Sequence, residues 1–153
     1  MHVVLVEPEI PQNTGNIART CVMTGTTLHL IGKLGFSLED RYLRRAGLDY
    51  WPHLRLFHYR GFDDFLSFNR GGNFYFFTTR GKKRYTDISY LANDFLIFGK
   101  ETAGLPAELL EKWGDNCVRI PMIEGIPRSL NLSNAVAVAL YEALRRQGFP
   151  GMR

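Results

Sequence analysis

The sequence predicts an α/β domain in which a mostly parallel sheet is flanked by helices. Short continuous apolar runs, rich in β-branched and aromatic residues, occur at residues 3–6, 27–31 and 95–98. They lack the alternation of a half-exposed strand and are typical of strands covered on both faces. Segments with helical start and stop signals separate them, which is the spacing of crossover connections in a parallel sheet.

Turn-forming residues divide the first third of the chain. Two closely spaced prolines end the strand at residues 3–6, because a proline cannot donate to the ladder. The polar run at residues 13–16 is expected to cap a helix that stops at Gly25. After the strand at residues 27–31, a loose capping box at residues 37–40 predicts a short helix.

The remaining elements alternate in the same way. The predicted strands comprise residues 54–58, 73–79, 95–98 and 117–120, and the predicted helices comprise residues 63–68, 106–113 and 133–146. Pro106 stands near a helix start, where its fixed φ is favourable, and Gly148 stops the last helix. That helix is apolar around its circumference, so we expect it to be buried on more than one side.

The composition of the 153-residue chain is that of one globular domain, expected to span residues 1–153. A formal charge of +4 is compatible with an acidic partner but does not require one. Cys21 and Cys117 are too few for a disulfide framework, and no cluster has metal-ligand spacing, so we expect no metal and a cytoplasmic setting. No run is long enough for a membrane span, so no membrane partner is expected.

Ligands of parallel sheets bind beyond the carboxyl ends of the strands. The loops to consider follow Val6, Thr79, Phe98 and Ile120. The loop after Phe98 begins Gly-Lys-Glu-Thr but lacks the first glycine of a phosphate-binding loop, and no G-x-G-x-x-G follows the first strand. A bulky, weakly polar cofactor held by the backbone of glycine-bearing loops therefore fits better than a triphosphate.

The loop after Ile120 ends in a polar run, residues 128–134, directly before an apolar helix. Orphan backbone N–H groups and the positive end of the helix dipole are available there for a polar ligand. Asn131 or Ser133 could equally be only the N-cap of that helix.

Three motifs in order along the chain carry a resemblance to a known family. They are N-T-G-N-x-x-R at residues 13–19, F-G-x-E-x-x-G-L-P at residues 98–106, and I-P-M followed by R-S-L-N-L-S-N-A at residues 120–135. Together they closely resemble the motifs of the SPOUT superfamily of S-adenosylmethionine-dependent RNA methyltransferases. The short length, L-R-R-A-G-L-D-Y at residues 43–50 and the tail at residues 148–151 are similar to its TrmL/YibK-like group of tRNA ribose 2′-O-methyltransferases. That group acts on the cytidine or uridine at the wobble position.

The resemblance implies a Rossmann-like sheet with a C-terminal trefoil knot, S-adenosylmethionine as cofactor, and the anticodon region of tRNA as partner. It also implies a homodimer in which the helices next to the cofactor pocket pack together. The residues that it assigns to the cofactor are Phe77, Thr78, Gly99, Glu101, Gly104, Ile120, Met122, Ser129, Leu130 and Ser133. Those that it assigns to catalysis are Arg19, Asn13, Glu101, Ser129 and Asn131.

Each assignment has a structural alternative. Glu101 could be an exposed carboxylate that caps the helix at Pro106, and Phe77 and Met122 could serve the core as well as a ligand. Asn13 could orient Arg19 or the ribose, or only cap its helix.

Arg19 is the residue on which we expect catalysis to depend most. Accounts of the family sometimes make this arginine the general base for the ribose 2′-OH, but a guanidinium with a pKa above about 12 gives up a proton only at great cost. We expect it to clamp a neighbouring phosphate and to stabilise alkoxide charge while the methyl group is attacked in line. Its expected position near a helix start, where its charge opposes the dipole, favours a functional role.

Basic side chains are expected to contact RNA phosphates, which implies salt-dependent binding. They are Arg41, Arg44, Arg45, Arg80, Lys82, Lys83 and Arg84. Tyr42 or Tyr50 could stack on a base. Three other functions remain compatible with the sequence: methylation of another RNA such as ribosomal RNA, RNA binding by a catalytically silent domain, and small-molecule chemistry with a different nucleotide.

Overall fold

The computed structural model describes residues 1–39 and 50–153. Its strands are β1 (His2–Val6), β2 (Thr27–Ile31), β3 (Leu56–Tyr59), β4 (Phe74–Phe77), β5 (Lys83–Arg84), β6 (Phe95–Phe98) and β7 (Cys117–Arg119). Its α-helices are α1 (Pro11–Met23), α2 (Phe62–Phe68), α3 (Ala107–Lys112) and α4 (Leu132–Arg146). All pairings between these strands are parallel, so the predicted α/β class is confirmed.

The strand order is β3-β2-β1-β6-β4-β7-β5. Val4 of β1 pairs with His29 on one side and with Ile97 on the other, which fixes the register of the central strands. Because β1, β6, β4 and β7 are neighbours, the loops that follow their carboxyl ends meet at one edge of the sheet.

Helices cover both faces of the sheet. Val3 and Val4, adjacent in β1, lie in two different apolar clusters because successive strand residues point to opposite faces. α1 and α4 cover the first face through side chains such as Ile17 and Leu140. α2, through Phe65, and α3 cover the second. This double covering explains why the central strands are apolar without alternation.

The main departure from the predicted elements is the start of α1. Residues 13–16 were expected to cap this helix, but it begins at Pro11, and its N-cap residue Ile10 makes no side-chain capping bond. Proline suits the first helical position, where no N–H is needed. Asn13 therefore lies inside the helix, and the alternative that it caps α1 is wrong.

Smaller differences concern strand ends. β3 begins at Leu56 and β4 ends at Phe77, and the two-residue strand β5 lies within the loop predicted to follow Thr79. The Ser37 hydroxyl oxygen accepts from the Glu39 N–H at 3.1 Å, and Asp40, the last residue of the predicted capping box, lies outside the described residues. The rest of that predicted helix lies outside the described residues.

α4 is buried on one side only within a single chain. Its buried residues are Val136, Ala139, Leu140, Ala143 and Leu144. Val138 and Tyr141, on the other side, are 41% and 45% exposed. Burial on more than one side is thus not achieved within the chain itself. Within residues 1–39 and 50–153, no helix is both long and apolar enough to cross a membrane.

Candidate functional site

The loops after β1, β4, β6 and β7 line one cleft of about 1500 Å³ at the carboxyl ends of the strands. We call it the carboxyl-end cleft. Apolar side chains such as Phe98, Ile120 and Leu130 form part of its wall, and polar side chains come from all four loops. The edge of the sheet where sequence analysis placed a ligand is therefore the edge where the structure has its large cavity.

Most residues predicted to hold a cofactor lie together in this cleft. Those that line it are Phe77, Thr78, Gly99, Glu101, Gly104, Ile120, Met122, Ser129 and Leu130. Ser133 does not line it. Its backbone N–H and its hydroxyl both donate to Asn131 Oδ1, at 2.9 and 2.7 Å. Asn131 is thus the N-cap of α4, as one alternative predicted.

The loop after β6 folds back tightly on itself. The Gly104 N–H donates to the Lys100 carbonyl at 2.9 Å, and Gly104 has a φ of +70°. A Cβ atom on Gly99 would lie 2.0 Å from the Gly104 carbonyl carbon and 2.2 Å from the Leu105 nitrogen. Only glycine fits at position 99, so the backbone itself forms this part of the cleft.

Glu101 holds the loop after β6 against the loop after β1. One carboxylate oxygen accepts from the Glu9 N–H at 2.8 Å. The other accepts from the Ile10 N–H at 3.2 Å and from Asn13 Nδ2 at 3.0 Å. The carboxylate therefore satisfies donors at the start of α1, and it does not cap α3, whose N-cap is Pro106.

Asn13 extends this connection to the loop after β7. Its side chain is 6% exposed, and its Oδ1 atom accepts from Asn131 Nδ2 at 3.0 Å. The hydrogen bonds from Glu101 through Asn13 to Asn131, which we call the Glu101–Asn13–Asn131 chain, join one residue from each of the three sequence motifs. Asn13, the buried residue at the centre, is paired at both atoms of its amide, which fixes the mutual position of the segments that the chain joins.

Charged residues outside the predicted site also line the cleft, namely Glu7, Lys100 and Arg128. Lys100 donates to Glu7 Oε2 at 3.0 Å, and this hydrogen bond raises the pKa of Lys100. Glu7 has a φ of +50°, which is unusual for a residue with a side chain. Arg128 lies on the opposite loop. Lys100 and Arg128 could have been found from the sequence, because Lys100 follows Gly99 in the second motif and Arg128 begins R-S-L-N in the third.

Arg19 lies apart from the other residues predicted for catalysis. Asn13, Glu101, Ser129 and Asn131 line the cleft, whereas Arg19 is exposed on α1 and does not. The Arg19 charge does not oppose the helix dipole, contrary to the prediction, because α1 begins at Pro11 and Arg19 stands closer to its C-terminal end.

Tyr50 lies directly beneath Arg19. The Arg19 Cζ atom is 5.9 Å from the centroid of the Tyr50 ring. The ring is only 9% exposed, and its hydroxyl donates to the Gly15 carbonyl at 2.9 Å. Burial raises the pKa of Tyr50, while the Arg19 charge acts in the opposite direction. The prediction that Tyr50 could stack on a base is wrong, because its faces are covered by the protein.

The basic loop after β4 borders the cleft. Arg80 lines it, and Lys82, Lys83 and Arg84 are exposed beyond it. Arg119 supports this loop by donating from Nη1 to the carbonyls of Gly81 and Lys82, at 2.7 and 2.9 Å. The other predicted RNA contacts, Arg41, Arg44 and Arg45, and the alternative stacking residue Tyr42, lie outside the described residues. In the part of the chain that is described, no three His, Cys, Asp or Glu side chains could together hold a metal ion.

Comparisons with known proteins agree on one class. A family model described as the SpoU rRNA methylase family matches residues 1–141. A protein from Burkholderia cenocepacia, named tRNA (cytidine(34)-2′-O)-methyltransferase, is 50% identical over 153 residues, covering 98% of this chain and 97% of that protein.

Two solved structures share the fold and more than a quarter of the residues. One, described as giving structural insights into the 2-OH methylation of C/U34 on tRNA, is 47% identical with a TM-score of 0.90, covering 96% of this chain and 95% of that one. The other, an AdoMet-bound rRNA methyltransferase from Sinorhizobium meliloti, is 29% identical with a TM-score of 0.83, covering 94% of this chain and 55% of that one.

Proposed function

The chain belongs to the SpoU rRNA methylase family, and on that premise we propose that it transfers a methyl group from S-adenosylmethionine to the ribose 2′-oxygen of the cytidine or uridine at position 34 of tRNA. The structural observation that carries this proposal is the Glu101–Asn13–Asn131 chain, which joins the three motifs at one cleft. With tRNA as substrate, we propose a cytoplasmic enzyme. We also propose that the segments after β6 and β7 form the trefoil knot that the resemblance implies.

The carboxyl-end cleft has the chemistry to hold S-adenosylmethionine. Met122 and Leu130 line it and remain 39% and 42% exposed, so they can cover an adenine ring. The turn at Gly99 presents backbone N–H and C=O groups to the cofactor's polar edges. Ser129 and Asn131 add side-chain hydrogen bonds beside it. When bound, the cofactor supplies the sulfonium methyl group.

We assign different tasks to the residues around the reaction. Glu101 acts by positioning, because both of its oxygens are already bonded to the start of α1. Arg19 binds the phosphate next to the target ribose and stabilises negative charge on the 2′-oxygen. Its guanidinium keeps its proton, so the proton of the ribose hydroxyl passes to solvent water as the methyl group moves from sulfur to the 2′-oxygen. Most of the acceleration then comes from holding the ribose oxygen in line with the methyl group.

The exposed residues of α1 and α4 support a homodimer. Met23 at the end of α1 is 60% exposed, and Val138 and Tyr141 of α4 are 41% and 45% exposed, on helices that pack against each other. Covering these apolar side chains favours association. Because Arg19 is on the exposed side of α1 and does not line its own cleft, we propose that it serves the cleft of the partner subunit.

Mixed dimers test this arrangement. An Arg19→Ala chain lacks the arginine but keeps an intact cleft. A Gly99→Val chain keeps the arginine but has a disrupted cleft. If the arginine acts across the dimer, a heterodimer of two inactive chains recovers methylation at one of its two sites. Absence of recovery in heterodimers of verified composition would contradict action across the dimer. A monomer in sedimentation of the unaltered protein would contradict the dimer itself.

Labelled methyl transfer tests the function. The protein is incubated with S-adenosylmethionine carrying a labelled methyl group and with either total tRNA or ribosomal RNA fragments. We expect label in tRNA alone, and label in ribosomal RNA alone would favour the rival substrate. Calorimetry should show binding of S-adenosylhomocysteine in preference to adenosine phosphates. Cofactor binding without methylation of any RNA would contradict the enzymatic function and favour a silent RNA-binding domain.

A further inference from the structure

Tyr50 makes two separate contacts with the part of α1 that carries Arg19. Its ring face lies 5.9 Å from the Arg19 Cζ atom, within the distance at which a guanidinium is attracted to an aromatic ring. Its hydroxyl donates to the Gly15 carbonyl at 2.9 Å in buried surroundings. In an α-helix the carbonyl of residue 15 also accepts the N–H of residue 19, so this contact holds the turn directly below Arg19.

The contact with the ring restricts the Arg19 side chain, which is otherwise exposed. An exposed arginine has several rotatable bonds and loses considerable entropy when it is fixed in one geometry. The Tyr50 ring is 9% exposed and belongs to the apolar cluster beneath α1 and α4, so its own position is fixed by packing. A rigid ring therefore provides a platform on which the guanidinium can be held before RNA arrives.

We propose that Tyr50 is a positioning residue for methyl transfer, which holds the Arg19 side chain in the orientation needed at the target nucleotide. This inference rests on the proposed function of Arg19. Tyr50 itself touches neither cofactor nor RNA, because its ring is enclosed by the protein. Tyr50 therefore affects kcat only by orienting Arg19.

Kinetics of paired variants test the proposal. Tyr50→Leu removes both contacts and should lower kcat for tRNA methylation by about fivefold, in line with the strength of a partly exposed cation–π contact. Tyr50→Phe keeps the ring and should retain most of the activity. The affinity for S-adenosylhomocysteine should not change in either variant.

Tyr90 provides a matched control, because it is also buried and its hydroxyl donates to a backbone carbonyl, that of Tyr85, at 2.7 Å. Tyr90→Leu should leave kcat within about twofold.

A double-mutant cycle separates positioning from stability. In an Arg19→Gln background, which removes the charge that the ring attracts, Tyr50→Leu should have almost no further effect on kcat. An equal loss in both backgrounds, or an equal loss in Tyr90→Leu, would overturn the proposal. If Arg19→Gln itself leaves kcat unchanged, the assigned role of Arg19 is wrong, and the positioning role of Tyr50 is then wrong as well.

Nuclear magnetic resonance tests the geometry without reference to activity. Side-chain protons of Arg19 should show a ring-current shift that persists in Tyr50→Phe and disappears in Tyr50→Leu. A spectrum of Arg19 that is the same in the unaltered protein and in Tyr50→Leu would overturn the proposed contact even if methylation of tRNA is established.

Discussion

Asn13 and Glu101, 88 residues apart in sequence, are joined by a 3.0 Å hydrogen bond from the Asn13 amide to one carboxylate oxygen. The other end of the same amide accepts from Asn131 at 3.0 Å. A single buried side chain thus holds the start of α1, the loop after β6 and the loop before α4 in one arrangement. Changes to this connection should alter cofactor binding, because all three segments line the carboxyl-end cleft.

Glu101→Gln tests the connection with a minimal change in shape. The amide nitrogen of the new glutamine would face a backbone N–H group or the Asn13 side-chain amide, and both of these are donors. At least one charge-assisted hydrogen bond is therefore lost, and two donors are brought together. We expect the affinity for S-adenosylhomocysteine, measured by calorimetry, to fall by about tenfold to a hundredfold. Glu111→Gln, at an exposed position on α3, should bind as the unaltered protein does. Equal affinities for both variants would show that the connection does not shape the cleft.

Gly99→Ala tests the tight turn after β6. The added methyl group would overlap the backbone at Gly104, and the loop must move to relieve this contact. We expect a loss of about 1–3 kcal/mol in the free energy of unfolding in urea, together with weaker S-adenosylhomocysteine binding. Gly114 has open space around its missing Cβ and serves as the matched control. A Gly99→Ala protein as stable as Gly114→Ala would contradict the close approach.

The central strands could be predicted well because the apolar runs that form them are continuous in the sequence. Two predicted strands, at residues 27–31 and 95–98, coincide with β2 and β6, since a strand covered on both faces needs a continuous apolar run. The start of α1 could not be predicted in the same way. Pro11 and the polar run after it are both helix-start signals, and the structure uses the polar run, through Asn13, for contacts between distant segments instead.

The candidate site could likewise be predicted from the sequence only in part. Glycine and the apolar wall residues could be assigned to the cleft from the motifs, and they line it. The position of Arg19 and its contact with Tyr50 could not be foreseen, because no local pattern brings a residue 31 positions away beneath a helix. The partners of Glu101 were equally hidden, since two of them are backbone N–H groups, which every sequence provides.

A contact between buried His29 and half-buried His2 predicts sensitivity to acid. His29 is 2% exposed, and burial together with the nearby His2 lowers the pKa of His29 to about 3. His2 donates to or accepts from His29 at 2.9 Å, and burial lowers the pKa of His2 to about 4. Below pH about 6.5 the unfolded chain binds protons that the folded chain does not, so stability is complete above that pH and declines as pH falls toward the folded pKa values.

The variant His29→Phe should remove part of this slope. His29 stands among aromatic rings, including Phe65 at 5.5 Å and Phe95 at 5.8 Å between centroids, so a phenyl ring is compatible with the site. Between pH 7.5 and 5.0, the free energy of unfolding in urea should fall by about 1–2 kcal/mol less than in the unaltered protein. His53→Phe, at an exposed histidine, should keep the original slope. An unchanged slope in His29→Phe would contradict the account.

Salt dependence tests the basic loop. Lys82 and Arg84 are exposed next to the cleft, whereas Lys83 also donates to the Asp115 carbonyl at 3.0 Å and is left unchanged. Replacing both Lys82 and Arg84 by glutamine should reduce the slope of log affinity for tRNA against log salt by about 1.5, as expected for two lost phosphate contacts. Lys112→Gln, on α3, should not change the slope. If the salt dependence of tRNA affinity is unaltered in the double variant, the RNA does not contact Lys82 and Arg84.

The most direct test of the central claim is to map the methyl group itself. Total tRNA is treated with the protein and S-adenosylmethionine, then digested and analysed by mass spectrometry, beside an anticodon stem-loop that carries a 2′-deoxyribose at position 34. The proposed function predicts one added methyl group on the ribose of nucleotide 34 and none on the deoxy substrate. Methylation of a base, of another nucleotide, or of the deoxy substrate would contradict it.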